Sequence, residues 1–183
     1  MSGYIRSMQK EVAKLMKIHV LFVCLGNICR SPMAEAIFRH LVREKGLTEH
    51  FVIDSAGLGG WHVGSPPHEG TRNILKEKQI DPSGLIARKI RKEDLNTFDY
   101  ILVMDRSNLR GVRELARKLE RHRAEVRLLM EFAPEKGHSE VPDPYYDGRF
   151  SEVYELVEAG CRGFLNYLMN KHFSQETGNE NKL

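Results

Sequence analysis

A chain of 183 residues, 41% hydrophobic and 29% charged, is the size of one globular domain, and no second domain is required. Its formal charge of +3, from 28 Lys and Arg against 25 Asp and Glu, is too small a surplus to define a protein built around a polyanion. That surplus lies wholly in residues 1–18, where Arg6, Lys10, Lys14 and Lys17 are offset by Glu11 alone, so the body is formally neutral. Three cysteines, Cys24, Cys29 and Cys161, are too few and too unevenly placed for a disulfide framework, and no apolar run approaches the ~20 residues of a membrane span. A reducing, cytoplasmic setting is expected, with no membrane span and no nucleic-acid partner.

Residues 1–17 read as a basic N-terminal extension, with Met16 placed where a shorter chain could start. A first strand is predicted at 18–23. Lys17 and the apolar run behind it imitate a signal peptide, but the run is short, β-branched and opens directly into a Gly-Asn-Arg-Ser cluster. A helix follows over 32–44, with Met33, Ala36, Ile37, His40 and Leu41 at helical spacing, Ser31 as N-cap, Pro32 at the first helical position and Gly46 as terminator. Further strands are predicted near 51–55, 99–104 and 125–130, and helices near 69–79, 107–122 and 151–172. This alternation is the signature of βαβ units around a mostly parallel sheet.

Two stretches stand apart. Residues 106–127 hold eight Lys or Arg against three Glu, yet Leu109, Val112, Leu115, Ala116 and Leu119 form one stripe, so the charges occupy a solvated face that can still attract an acidic partner. Residues 132–150 interrupt the rhythm with Pro134, Gly137, Pro142, Pro144 and Gly148, and a loop of this length in a compact domain is often functional. The domain is expected to run over 18–173, followed by a flexible polar tail at 174–183.

The chemistry concentrates in Cys24-Leu25-Gly26-Asn27-Ile28-Cys29-Arg30-Ser31-Pro32. A tight turn from a parallel strand into a helix aims several backbone N–H groups at one centre, and with the helix N-terminus they form an anion site. Gly26 permits close approach of the backbone, and Arg30 adds a bidentate clamp suited to a tetrahedral dianion. The same positive surroundings stabilise a thiolate, so Cys24 is expected to be nucleophilic at neutral pH. Ser31 can hydrogen-bond that sulfur, and Asn27 can hold the loop through its amide. Phosphoryl transfer to a thiolate also needs a proton for the leaving oxygen and later a base for water. Asp143, held between Pro142 and Pro144 and followed by Tyr145 and Tyr146 as walls of an aromatic slot, is the best candidate; Asp147, in a D-G turn signal, is the competitor.

With these residues assembled, the sequence resembles the low-molecular-weight protein tyrosine phosphatases from about Ile18 to Tyr167. The resemblance rests on C-L-G-N-I-C-R-S-P at 24–32, D-S-A-G at 54–57, F-D-Y-I-L-V-M-D at 98–105 and D-P-Y-Y-D-G at 143–148. It implies a four-stranded parallel sheet of order 2-1-3-4 with helices on both faces and the phosphate loop between the first strand and first helix. It implies hydrolysis of phosphotyrosine on proteins without metal or cofactor: Cys24 attacks phosphorus to form a phosphocysteine, Arg30 and residues 25–29 bind the equatorial oxygens, and Asp143 serves as acid and then base. Ser55 then supports Asn27 and the phosphate loop, Trp61 forms an aromatic rim opposite Tyr145 and Tyr146, and Cys29 can form a reversible disulfide with Cys24. Cys161 reads as a buried structural thiol, and a monomer is the default for the family. Two departures stand out: Leu85 replaces the histidine of S-G-H-x-A-R, and Pro66-Pro67-His68-Glu69-Gly70 replaces P-x-D-x-R.

Rival readings follow from the same loop. An arsenate reductase needs further cysteines on a mobile segment, and none lies between Cys29 and Cys161. A protein arginine phosphatase of this fold carries threonine where this chain has Ile28, whose apolar side chain favours a flat phenyl ring. A non-catalytic phosphate-binding redox sensor would lack the acid that Asp143 supplies.

Overall fold

The computed structural model describes residues 3–5, 7, 8 and 16–173; the expectation of a flexible tail at 174–183, and most of that for residues 1–17, lie outside the described residues. Four strands, β1 (Ile18–Cys24), β2 (Phe51–Gly57), β3 (Tyr100–Val103) and β4 (Glu125–Leu128), form one parallel sheet in the order β2-β1-β3-β4. The helices are α1 (Arg30–Glu44), α2 (Glu69–Glu77), the short α3 (Asp94–Thr97), α4 (Arg106–Ala116) and α5 (Phe150–His172). No helix among the described residues is long and apolar enough to cross a membrane.

Strand β1 lies inside the sheet and is covered on both faces, which is why its sequence reads as an unbroken apolar run. Successive side chains alternate faces. Val20, Phe22 and Cys24 therefore join the larger core cluster with residues of α1, α2 and α5, while Leu21 and Val23 join the smaller one with Val112 and Ala116 of α4. Cys24 thus ends β1 on the α1 side, at the carboxyl edge of the sheet where the connection into α1 begins.

Several boundaries differ from expectation by two residues or more, among them the following three. Helix α1 starts at Arg30, with Cys29 rather than Ser31 at the N-cap and no side-chain cap bond there. Ser31 is drawn into the first turn because its hydroxyl is used behind the loop, so Pro32 follows inside the helix. Helix α4 stops at Ala116 instead of 122, because the chain must reverse to enter β4 in register with β3, Glu125 opposite Tyr100. The N–H groups of Arg123 and Ala124 both donate to the Leu95 carbonyl at that reversal. Strand β4 ends at Leu128, where a 3-10 turn, Leu129–Phe132, takes over. Gly46 terminates α1 as expected: at φ 68° it closes a Schellman motif, with its N–H donating to Arg43 and that of Leu47 to Val42.

Candidate active site

The segment from Cys24 to Arg30 wraps a cavity of about 340 Å³ at the carboxyl edge of the sheet. Cys24, Leu25, Gly26, Ile28, Cys29 and Arg30 line its floor and wall, and Trp61, His62, Asp143, Tyr145 and Tyr146 its mouth. Trp61 and Tyr146 are 71% and 81% exposed, so these rings cost the fold little and are free to meet a ligand. Asn27, Ser31 and Ser55 do not line the cavity; they are buried behind it.

That buried layer has a defined donor direction. Asn27 sits at φ 57°, a left-handed conformation that asparagine tolerates better than most residues. The Arg88 backbone N–H can only donate, and it lies 2.9 Å from Asn27 Oδ1, which fixes the orientation of the amide. Asn27 Nδ2 then donates to Ser31 Oγ at 2.8 Å and to Ser55 Oγ at 2.9 Å. The Ser55 hydroxyl donates to Glu35 Oε2 at 2.5 Å. The Ser31 hydroxyl is left to donate to Cys24 Sγ, 3.0 Å away, with the Ala56 carbonyl a longer alternative at 3.4 Å. Gly57 lets the loop close onto β2: a Cβ there would stand 3.0 Å from the backbone of Leu25, Gly26 and Asn27.

Arg30 is nearly fully buried and its guanidinium is held from two sides. Nη1 reaches Asp105 Oδ2 at 2.6 Å and the Val141 carbonyl at 3.0 Å, and Nη2 faces Asp143 Oδ2 at 3.4 Å. Asp105 also caps α4 by accepting from the Asn108 N–H at 2.7 Å, so one carboxylate joins the helix start to the arginine. Asp143 Oδ1 accepts from the Tyr145 N–H at 3.1 Å, which orients the carboxyl toward the cavity mouth. Asp147, the competing acid, pairs instead with Arg149 outside the cavity.

Sequence reasoning missed Asp105, Glu35, His62 and Arg88. Asp105 was visible only as the end of the F-D-Y-I-L-V-M-D run. His62 packs over the loop, its Cδ2 3.1 Å from where a Gly26 Cβ would be. Arg88 pairs with Asp54 at 2.9 Å and Asp94 at 3.0 Å, which holds the backbone whose N–H fixes Asn27. Leu85, at the position of the expected histidine, is buried in the main core, and Ser55 bonds directly to Glu35.

Burial raises the Glu35 carboxyl above its ordinary value of 4.5, and the Ser55 bond and Arg39 pair only partly oppose it. The native state therefore holds this proton at pH values where the unfolded chain has released it, and the group's contribution falls as pH rises through that window. Glu35→Gln, which keeps an acceptor for Ser55 without the charge, is expected to gain stability relative to wild type between about pH 5 and pH 7.5 in urea unfolding. The opposite trend would show that the Arg39 ion pair outweighs burial. Burial, followed by the Cys24 charge, pushes the Cys29 thiol up to about 12. Cys161 is fully buried on α5, and burial raises its thiol well above the ordinary range.

An open parallel sheet with a thiol-bearing anion loop at its carboxyl edge, an arginine within the loop and a carboxyl at the mouth defines a cysteine-dependent phosphatase architecture. Comparison with known proteins narrows the class. The family model for low molecular weight phosphotyrosine protein phosphatase matches residues 19–175. The chain is 49% identical over 148 residues to the low molecular weight protein-tyrosine-phosphatase YfkJ of Bacillus subtilis, covering 81% of this chain and 94% of that protein. It is 45% identical over 148 residues to the human low molecular weight phosphotyrosine protein phosphatase, covering 80% and 92% respectively. The crystal structure of YfkJ superposes with a TM-score of 0.80 at 46% identity, over 85% of this chain and 96% of that one. A drosophila arginine phosphatase, DARP, superposes with a TM-score of 0.77 at 37% identity, over 81% and 96%. The chain belongs to the low molecular weight protein-tyrosine phosphatase family and is a phosphoprotein hydrolase.

Proposed function

We propose that residues 18–173 hydrolyse phosphotyrosine on proteins through a phosphocysteine at Cys24. The observation that carries this is the convergence of Cys24, Arg30 and Asp143 on one cavity, with the Ser31 hydroxyl aimed at the sulfur. The Cys24 thiolate attacks phosphorus and the P–O bond to the tyrosyl oxygen breaks. Asp143 gives its proton to that leaving oxygen. Arg30 and the N–H groups of residues 25–29 bear the charge on the equatorial oxygens, an arrangement set before the reaction begins. Asp143, now a carboxylate, takes a proton from water as it attacks the phosphocysteine, and inorganic phosphate leaves with the Cys24 thiolate restored. Ser31 holds the sulfur anion in both steps, while Asn27 and Ser55 keep Ser31 in place. Trp61, Tyr145 and Tyr146 flank the phenyl ring. The protein acts as a cytoplasmic monomer, with residues 1–17 an accessory extension.

The likeness to DARP makes phosphoarginine the second substrate to weigh. Ile28, buried in the cavity wall, offers an apolar surface to a ring and no hydroxyl to a guanidinium. Parallel assays on a phosphotyrosyl and a phosphoarginyl peptide are expected to give the higher kcat/KM on phosphotyrosine. Equal or faster turnover of phosphoarginine would overturn that specificity.

Cys24 and Cys29 line the same cavity, which supports reversible oxidation. Peroxide converts the Cys24 thiolate to a sulfenic acid, and condensation with the Cys29 thiol expels water and leaves a disulfide. Activity lost to peroxide is expected to return with dithiothreitol in wild type, and to be lost for good in Cys29→Ser, where excess peroxide takes the unresolved sulfenic acid on to sulfinic acid. Equal recovery in both proteins would remove Cys29 from the scheme.

A further inference from the structure

The formally neutral body is strongly polarised. Residues 106–127 carry a net +5, eight basic groups against three Glu, which leaves −5 on the rest of residues 19–183. Most described arginines lie against a carboxylate: Arg30, Arg39, Arg88, Arg91, Arg106, Arg123, Arg127, Arg149 and Arg162 all do. Arg43, Arg72, Arg110, Arg113, Arg117 and Arg121 do not, and of these Arg110, Arg113 and Arg117 are exposed and follow one another along α4 and its C-cap. At 100° per residue, positions 106, 110, 113 and 117 fall within an arc of about 60°, on a line about 16 Å long. Val112 and Ala116 turn toward the sheet, and Glu114, the sole carboxylate within α4, sits at the flank of the row.

The row begins beside the catalytic cavity. Asp105, which caps α4, binds Arg30 at 2.6 Å. The Arg106 N–H and guanidinium hold Glu140 at 2.7 and 3.2 Å, directly ahead of Val141 and Asp143. We propose that the Arg110–Arg113–Arg117 row is a docking surface for an acidic segment of the phosphoprotein substrate, outside the phosphate pocket. This rests on the phosphotyrosyl-protein reading above.

Charge complementarity selects the occupant. Like charges at i, i+3 and i, i+4 repel along a helix, and an acidic strand laid on the row relieves that repulsion. From Arg110 to Arg117 the row spans about 10 Å, the reach of about three extended residues. No large apolar side chain is exposed on α4 to enter a lipid surface, and no aromatic ring stands there to stack on a nucleic-acid base. The cavity binds the phosphotyrosine itself, so a second contact on the same macromolecule raises its effective concentration at Cys24.

The experiment compares three substrates of the full chain: p-nitrophenyl phosphate, a phosphotyrosyl peptide with a flexible spacer and an acidic run of about six glutamates, and the same peptide with glutamines. The acidic peptide is expected to have a KM on the order of tenfold lower than the neutral one at low salt. That advantage is expected to vanish at high salt and in the Arg110→Glu, Arg113→Glu, Arg117→Glu variant, while turnover of p-nitrophenyl phosphate stays unchanged. An advantage absent from wild type, or kept in the triple variant, would overturn the docking surface; so would tight binding of anionic vesicles or RNA to the row without discrimination between the peptides. Failure of the phosphatase reading would be separate, because p-nitrophenyl phosphate would then not be turned over at all.

Discussion

Cys24→Ser is expected to reduce release of phosphate from p-nitrophenyl phosphate and from a phosphotyrosyl peptide by on the order of 10⁵-fold or more. A serine hydroxyl is far less ionised than a thiol at neutral pH and is the weaker nucleophile. The substitution changes one atom of a side chain that is 3% exposed, and an Oγ still meets Ser31, so the loop and its anion site remain. Unfolding stability is expected to stay within about 1 kcal/mol of wild type. Phosphotyrosyl peptide should therefore still bind, and a variant that binds without turning over serves as a trap for the physiological substrate. Wild-type rates from the serine variant would remove Cys24 as the nucleophile.

The second large effect is at Asp143. Removing the acid should lower kcat on a tyrosyl phosphate by roughly 10²- to 10⁴-fold, and by less on p-nitrophenyl phosphate, whose leaving oxygen needs no proton. Asp143 also accepts from the Tyr145 N–H at 3.1 Å and faces Arg30 at 3.4 Å, so Asp143→Ala confounds chemistry with loop position. Asp143→Asn retains an acceptor for Tyr145 and cannot act as the acid. Both variants are expected to lose kcat alike and to keep the leaving-group dependence. Substantial activity in the asparagine variant would instead make Asp143 a positioning residue for Arg30 and the Tyr145 wall.

The unequal contributions of these groups explain why only part of the site could be read from the chain. Cys24, Gly26, Asn27, Arg30 and Ser31 are close in sequence, and a strand-to-helix turn brings them together with little help from the rest of the fold. Asp143 was found by a different signal, two flanking prolines in a long irregular segment. Ser55 entered only through family likeness, since one serine at a strand end carries no chemical signature. Glu35 was one more polar position on a helix pattern. Its burial at 5% exposure depends on α1 packing against β2, which no local pattern reveals.

Helix ends show the same division. Gly46 stops α1 by its own conformational freedom, and Asp105 starts α4 by its own side chain, both local effects. The early end of α4 is set by the register of β4 against β3, and the apolar stripe alone runs past it to Leu119. The entry of α1 was misread because Ser31 had two possible uses. Its hydroxyl serves the Cys24 sulfur rather than the helix cap, a choice made by Asn27 and Ser55 from outside the helix.

By itself the sequence determined an alternating α/β chain, a thiol-bearing anion loop between strand and helix, and a candidate acid in a rigid loop. Each depends on residues within about a dozen positions of one another, where backbone propensity and spacing act directly. The tertiary structure alone decided that Asp105 and the Val141 carbonyl meet Arg30, that Glu35 ends the hydrogen-bond chain from Cys24, and that two arginines of α4 and one at its C-cap form an unpaired row beside the cavity. Those contacts join residues 20 to 111 positions apart, or depend on the absence of carboxylates across the surface. They follow from sheet order and helix packing, which local preferences constrain without specifying.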